Sequence, residues 1–318
     1  MFLLAINGST LIQYILDSVA YGSLFALMAL SLSLLFGVMG LMNFAYGELI
    51  MAGCFTMFYT QAWGWGAMIV CAVGVVVAVS LLMELVAFRP VRRAAPSTLL
   101  ITSFALSIGL QKLAYMVFPP GVPRTVKSYP WLTSQFNVSG VLISRLEIIT
   151  WIVTLVLLVA MTLMLRRTGL GIQLRASTED FRMAQLVGVR ANWVISAAFG
   201  ITGLLASAVT VLFVLKNGDV RPNVGQGPLL IAFVGGVIGG LGSLPGAALG
   251  GFVLGLVINI LQATLPLDLQ GHTQMFAFLA VIAILVLQPE GLIGTGRGLQ
   301  RRLARRRARA GPAEEASA

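Results

Sequence analysis

The chain has 318 residues, of which 58% are hydrophobic and 10% are charged, and its mean hydropathy is +0.93. A soluble globular domain with so few charges could not cover its surface with polar groups, so that class of protein is excluded. The formal net charge of +10 comes from a surplus of arginine that is confined to a few stretches. These values indicate a polytopic membrane protein with an all-α fold.

Long uncharged runs predict where the chain crosses the bilayer, since one crossing needs about 20 apolar residues. Between eight and ten transmembrane helices fit the sequence, because the glycine-containing stretches at 37–47 and 235–251 are compatible with re-entrant or broken helices as well as with plain spans. The nine predicted segments are 10–36, 44–62, 66–87, 97–118, 148–165, 193–215, 226–241, 246–265 and 272–288.

Arginine clusters set the expected orientation. They lie at 89–93, within 166–190 and at 297–309, and the positive-inside rule makes all three cytoplasmic. With an odd number of crossings, the N-terminus is then outside and the C-terminus inside. We expect residues 1–296 to form a single transmembrane domain and 297–318 to form a basic, disordered cytoplasmic tail. Basic tails can bind nucleic acid, but beside the last span an orientation signal in contact with anionic lipid is the simpler interpretation, and no nucleic-acid partner is expected.

One charged segment, residues 166–192, lies between two strongly apolar stretches. Ser177, followed three residues later by Asp180, predicts a capped helix over about 178–187, and Gly188 predicts its end. Such a helix would present an apolar face outside the membrane, which suggests a docked protein partner. The apolar residues of that face are Met183, Leu186 and Val187, with Phe181 and Ala184 on a neighbouring strip.

Glycine-rich interruptions occur in both halves of the chain, at 36–53 and at 235–251. Paired interruptions of this kind indicate the path of a transported solute near the middle of the membrane. The equally weighted alternative is that they are seams where helices pack closely without touching substrate. The residues predicted to line a path are Asn43, Tyr46 and Glu48 in the first half and Gly239, Gly240, Gly242, Ser243 and Gly246 in the second.

Glu48 lies between two predicted spans, and an ionisable group at membrane depth is a functional hypothesis by default. It could instead satisfy free backbone N–H groups at the start of a helix. Asp17 and Glu84 lie nearer to the ends of their spans. On a later span, Asn259 and Gln262 are spaced for hydrogen bonding between helices rather than for lining a pore.

The sequence offers no catalytic or cofactor-binding constellation. Its one histidine, His272, has no metal-ligand spacing around it, and Cys54 and Cys71 lie in apolar runs, where they act as small hydrophobic residues. None of the lysines stands in a Walker A motif, so ATP, if it drives this protein, binds another subunit. We therefore expect no enzyme, no metal site and no cofactor.

Several stretches together resemble the permease subunits of bacterial branched-chain amino-acid ABC importers of the Liv type. They follow the family's order along most of the chain. The stretches are LFGVMGLMNFAYGELIMAG at 35–53, FRPVRRAAPSTLLITSFALSIGLQ at 88–111, RASTEDFRMAQLVGV at 175–189, FVGGVIGGLGSLPGAALGGFVLG at 233–255 and LQPEGLIG at 287–294.

The resemblance implies an all-helical, type II-like permease in the bacterial inner membrane that pairs with a second, homologous permease. It also implies two cytoplasmic ATP-binding subunits and a periplasmic solute-binding protein as partners. Residues 166–192 would be the segment that docks in the ATPase and moves when ATP closes it. The residues that match the family's pattern there are Arg175, Ala176, Asp180, Ala184 and Gly188.

Substrate identity stays open at this point, because similar permeases carry urea, short amides and other amino acids. A secondary transporter or channel for a small solute is the alternative function, with Glu48 as its proton or substrate site. The scarcity of charge within the predicted spans and the unexplained charged segment count against it. A membrane-embedded enzyme lacks the necessary cluster of histidine, cysteine or carboxylate side chains.

Overall fold

The structure, a computed structural model, describes residues 8–40, 43–92, 94–118, 124–127, 129–138, 141–179, 181–186, 188–240 and 242–287. In this part of the chain the fold is all-α apart from one two-stranded hairpin. The helices are α1 (Gly8–Met39), α2 (Tyr46–Thr60), α3 (Trp65–Leu82), α4 (Arg89–Val91), α5 (Pro96–Val117), α6 (Pro130–Thr133), α7 (Arg145–Arg167), α8 (Gly169–Glu179), α9 (Phe181–Leu186), α10 (Ala191–Asn217), α11 (Gln226–Gly239), α12 (Leu244–Thr264), α13 (Leu267–Gln270) and α14 (Thr273–Leu287). A 3-10 turn (Gln61–Trp63) follows α2, and a π-helical segment (Met83–Phe88) joins α3 to α4.

Every segment predicted to span the membrane is helical, but three of these helices are short. Within the described residues, six helices are long and apolar enough to cross a bilayer, namely α1, α3 with its extension to Val91, α5, α7, α10 and α12. The other three, α2, α11 and α14, have 15, 14 and 15 residues, fewer than the about 20 that one crossing needs. The short helix α2 begins inside the glycine-containing stretch 37–47, whereas the stretch 235–251 contains the turn from α11 to α12.

The bundle has two ends that differ in chemistry. At the first, here called the basic end, Arg166 and Arg175 share one cavity with Gly37, and Arg92 shares a second cavity with the same glycine. At the other, here called the hairpin end, strands β1 (Gln135–Val138) and β2 (Val141–Ser144) pair antiparallel. β2 leads directly into α7, which a capping box of Ser144 and Glu147 starts three residues earlier than the sequence predicts.

Two groups of helices repeat one pattern in opposite directions. α1 runs from the hairpin end to the basic end and is followed by short α2 and long α3; α10 runs the other way and is followed by short α11 and long α12. α1 packs against α11 and α12, α10 packs against α2 and α3, and α1 also contacts α10. The first helix of each group thus packs against the second and third helices of the other group, an arrangement found in inverted repeats. In these repeats the stretch 36–53 contains the connection from α1 to α2, whereas 235–251 contains the connection from α11 to α12, so the two glycine-rich stretches are not equivalent positions.

α1 is the central helix of the bundle, with 83% of its apolar window buried. It lies against α12 through glycines: a Cβ on Gly255 would overlap the backbone of Gly22, and a Cβ on Gly251 would overlap the backbone of Phe25. Small residues allow such close approach of helix backbones in membranes. On the same contact, Asn259 Nδ2 donates to Ser18 Oγ at 2.8 Å, which confirms its predicted role between helices.

Candidate functional site

The N-terminal ends of α2 and α11 meet inside the bundle. Gly47, in the first turn of α2, lies so close to Gly225 that a Cβ on Gly47 would be 2.7 Å from the Gly225 carbonyl oxygen. From this junction α2 extends about 20 Å towards the hairpin end and α11 about 20 Å towards the basic end. Helix N-termini carry partial positive charge. The junction therefore lies at membrane depth and favours negative charge.

Two of the predicted path residues shape this junction. Asn43 is 3% exposed, and its Oδ1 accepts a hydrogen bond from the Ala45 backbone N–H at 3.0 Å. Its Nδ2 has no hydrogen-bond partner. Tyr46 begins α2 and is fully buried. The connection between α1 and α2 is thus held by an asparagine turn that leaves one buried donor unused.

Glu48, also in the first turn of α2, contributes a buried carboxylate. Its side chain is 3% exposed, and Oε1 accepts a hydrogen bond from Ser107 Oγ on α5 at 2.9 Å. Among the residues that the structure describes, Oε2 has no hydrogen-bond partner. The alternative role of capping free backbone N–H groups is not what the structure shows, because the carboxylate is directed towards α5. One acceptor oxygen is left free beside the positive ends of two helices.

Sequence reasoning missed the helix that Glu48 faces. On α5, Ser103, Ser107 and Gln111 recur every four residues, so they lie on one side of the helix. Only 11% of the apolar window of α5 is buried, and its mean hydropathy of 1.4 is the lowest of the six long helices in the described part. Beside this side, the rings of Phe44 and Phe104 stack with centroids 3.9 Å apart. The four-residue spacing of polar groups was a signal available in the sequence.

The second set of predicted path residues lies elsewhere. Gly239, Gly240, Gly242, Ser243 and Gly246 form or flank the turn between α11 and α12 at the basic end, about 20 Å along α11 from the junction. A Cβ on Gly239 would overlap the Gly246 carbonyl, and Ser243 Oγ caps α12 by accepting from Gly246 N at 3.3 Å. These residues therefore form a close-packing seam, while the first set forms the junction.

The charged segment 166–192 folds differently from its predicted helix. A helix over 178–187 capped by Ser177 is wrong: α8 begins at Gly169, where Thr168 Oγ1 accepts from Gly171 N at 3.0 Å, and Ser177 lies within α8 at 4% exposure. Thr168 caps the helix, because a hydroxyl group just before the first turn accepts hydrogen bonds from the free backbone N–H groups there. Asp180 and Val187 lie outside the described residues.

α9 carries the exposed apolar residues that the sequence predicts. Met183 is 60% exposed and Leu186 is 81% exposed, whereas Ala184 is buried. Gly188 has φ +94°, and Val189 N donates to the Ala184 carbonyl at 3.0 Å, so the predicted stop is confirmed. Of the remaining predicted residues, Arg175 is exposed and Ala176 half-buried on α8, while the Phe181 side chain lies outside the described part.

A polar network around the buried Glu84 ties this segment to the bundle. Arg92 forms a salt bridge with Glu84 of the π-helical segment and donates to Asn192 Oδ1 at the start of α10. Ser196 Oγ, one turn further along α10, donates to Glu84 Oε2 at 2.9 Å. Since α10 follows directly after α9 and Gly188, the network links the charged segment to α3 and α10 together.

A second charge cluster, which sequence reasoning did not assemble, lies at the hairpin end. Glu147 of α7 is within hydrogen-bonding reach of Asp17 on α1, and Lys216 of α10 is close enough to both carboxylates to interact with their charge. Lys216 Nζ lies 3.3 Å from the centroid of the Tyr21 ring. The cluster joins α1, α7 and α10, and no sequence spacing would have brought these residues together.

Groups able to hold a metal ion are absent from the described part of the chain. The fold is that of a polytopic, all-α membrane protein, and the N-terminal ends of its two short helices meet at membrane depth. This architecture defines the class of protein as a permease.

Comparison with known proteins identifies the family. The family described as "Branched-chain amino acid transport system / permease component" matches residues 14–287, and the chain belongs to it. It is 30% identical over 299 residues to the high-affinity branched-chain amino acid transport system permease protein LivH of Escherichia coli (strain K12), covering 89% of this chain and 95% of LivH. The permease protein BraD of Pseudomonas aeruginosa is also 30% identical, with the same coverage. An inward-facing ABC transporter of metal-chelate type has a TM-score of 0.49 and 16% identity over 90% of each chain.

Proposed function

We propose that this chain is one permease of an ATP-driven importer of branched-chain amino acids, with ATP hydrolysis on separate subunits. Family membership and the names of LivH and BraD support the substrate class. The expected partners are a second permease, two ATP-binding subunits and a solute-binding protein. A secondary transporter or channel gains no support from this family.

The observation that carries the ATPase coupling is the exposed apolar end of α9. Leu186 and Met183 expose large apolar side chains beside a cluster of arginines, and such a surface outside the membrane favours a protein partner. The segment passes through Gly188 into α10, whose first turns are tied to Glu84 and Arg92. Movement of α9 by an ATPase would therefore shift α10 and α3 together.

The arginines of the basic end also suggest how the protein is oriented in the membrane. With the basic end in the cytoplasm, the N-terminus is outside and the C-terminus inside the bacterial inner membrane. The hairpin end then faces the solute-binding protein. Residues 1–296 would form the permease domain, and 297–318, which lie outside the described residues, would form a cytoplasmic tail.

Reconstitution of the complete transporter tests this proposal. We expect leucine uptake into proteoliposomes to require ATP inside and the ATP-binding subunits. Leu186→Asp should reduce copurification of those subunits at least about tenfold, because it places a charge in an apolar contact. Gln185→Asp, a neighbouring exposed position, is the matched control. Ion-driven leucine uptake by the purified chain alone would overturn the proposal, and unchanged copurification of Leu186→Asp would overturn the assigned docking surface.

A further inference from the structure

Only one of the two carboxylate oxygens of Glu48 accepts a hydrogen bond from a described residue. Ser107 satisfies Oε1, while Oε2 is buried and has no hydrogen-bond donor. Among the described residues, the salt bridges join Arg92 to Glu84 and Arg221 to Asp219, so no cation of that part pairs with Glu48. A buried acceptor without a donor is costly. An unpaired carboxylate oxygen at membrane depth therefore indicates a missing N–H or O–H donor.

The surroundings of Glu48 select the kind of donor. Glu48 lies in the first turn of α2, next to Gly47, whose backbone contacts Gly225 at the start of α11, and the N-terminal end of a helix favours negative charge. A charged acceptor forms its strongest hydrogen bonds with a cation. The Phe44 and Phe104 rings stack near Ser107's side of α5, and aromatic faces also attract ammonium groups. A primary ammonium group fits these features.

Access to the carboxylate runs along α5. Glu48 contacts this helix through Ser107, which is half-buried, and Phe104 is 42% exposed. The side of α5 that carries Ser103, Ser107 and Gln111 is polar although much of the helix is uncovered in the single chain. A polar side on an uncovered membrane helix favours a water-filled path between subunits over contact with lipid.

We propose that Glu48 Oε2 accepts a hydrogen bond from the ammonium group of the amino acid in transit, with Ser107 holding the carboxylate in place. This inference rests on the proposed import function, and it identifies the ammonium group as the part of the substrate that Glu48 binds. Asn43 Nδ2, the unused donor of the same junction, suits the substrate's carboxylate. A zwitterion thus finds a free acceptor and a free donor where the two short helices meet.

Charge-selective labelling tests the site without requiring transport. In the assembled transporter with Cys54→Ala and Cys71→Ala, Ser107→Cys should react at least about tenfold faster with a cationic methanethiosulfonate than with an anionic one, the size of one charge-assisted hydrogen bond. Adding Glu48→Gln should abolish that preference. No reaction with either reagent, or a preference that survives Glu48→Gln, would overturn the proposal.

Transport by the complete complex supplies the second readout. Glu48→Gln should lower leucine uptake per folded transporter at least about tenfold, whereas Glu48→Asp should restore part of it. ATP hydrolysis stimulated by the binding protein should persist in both, since neither touches α9. Wild-type uptake by Glu48→Gln would refute the role of Glu48. If the wild type carries no amino acid, the import proposal fails, and the labelling preference alone decides whether Glu48 attracts cations.

Discussion

Ser31 and Thr202 exchange hydrogen bonds where α1 crosses α10. Ser31 Oγ donates to the Thr202 carbonyl at 3.2 Å, and Thr202 Oγ1 donates to the Ser31 carbonyl at 3.4 Å. Both residues are fully buried. The reciprocal hydrogen bonds therefore join α1 to α10 at a buried crossing of the two repeats.

Removing this exchange should loosen the crossing modestly. We expect Thr202→Val to lower the free energy of unfolding by about 1 kcal/mol, since hydrogen bonds between membrane helices have about this value. Ser31→Ala should cost a similar amount, and the two effects should not add. Thermal unfolding in lipid nanodiscs measures the change. Thr162→Val is the control, because that hydroxyl bonds the Leu158 carbonyl of its own helix; equal losses at both sites would contradict the role of the crossing.

The junction of the short helices should not tolerate a methyl group. A Cβ on Gly225 would overlap the Gly47 carbonyl, so Gly225→Ala should destabilise the protein by about 1–3 kcal/mol, the usual cost of overpacking. Gly227→Ala, two residues further on, meets nothing within 4 Å and serves as the control. The yield and melting temperature of detergent-purified protein measure both. A stable Gly225→Ala variant would show that the junction is loosely packed.

The network at the basic end predicts a large effect of one arginine. Arg92→Met leaves Glu84 buried at 3% exposure without its cation, and breaking a buried ion pair on one side costs about 3–5 kcal/mol. Arg89→Met, on the same turn but exposed, should change stability by less than about 0.5 kcal/mol. Chemical denaturation of the two variants gives the comparison. The double variant Glu84→Gln with Arg92→Met should recover part of the loss.

At the hairpin end, the positive charge of Lys216 lies near the negative charges of two carboxylates. Lys216→Met removes the cation near Asp17 and Glu147, so the helices that carry them should pack less stably, by up to about 1 kcal/mol, because the three groups are only partly buried. Adding Glu147→Gln should restore stability, because it relieves the repulsion between the carboxylates. Thermal unfolding at neutral pH tests the pair. Full stability of Lys216→Met would mean that solvent already screens the cluster.

Much of the fold was predictable because membrane helices are encoded locally. Runs of apolar residues located the helices, and the glycine-rich stretches at 36–53 and 235–251 located the turns that precede α2 and α12, since both depend on composition over short windows. Gly188 also predicted its stop correctly. The helix start at residue 178 was mispredicted because Ser177 and Thr168 are both acceptable caps, and it is Thr168 that accepts a hydrogen bond in the first turn of α8.

The candidate site was predictable in part. Glu48 and Asn43 were found because a polar residue between apolar runs is conspicuous in sequence. Gly239 to Gly246 lie apart from them, because that stretch connects α11 to α12, whereas the connection in the second repeat that corresponds to residues 40–45 is 218–225. The partner of Glu48, Ser107, is 59 residues away in the chain, and no local pattern specifies that pairing.

By itself, the sequence determined the membrane environment, the approximate positions of the apolar helices, the charged segment and the family. These properties arise from hydrophobicity and spacing within one stretch of chain. The tertiary structure decided which charges meet, which glycines are contacts between backbones, and that Glu48 accepts a hydrogen bond from Ser107 of α5. Such relationships depend on the packing of helices distant in sequence, where a hydrogen bond or a missing Cβ acts through space rather than along the chain.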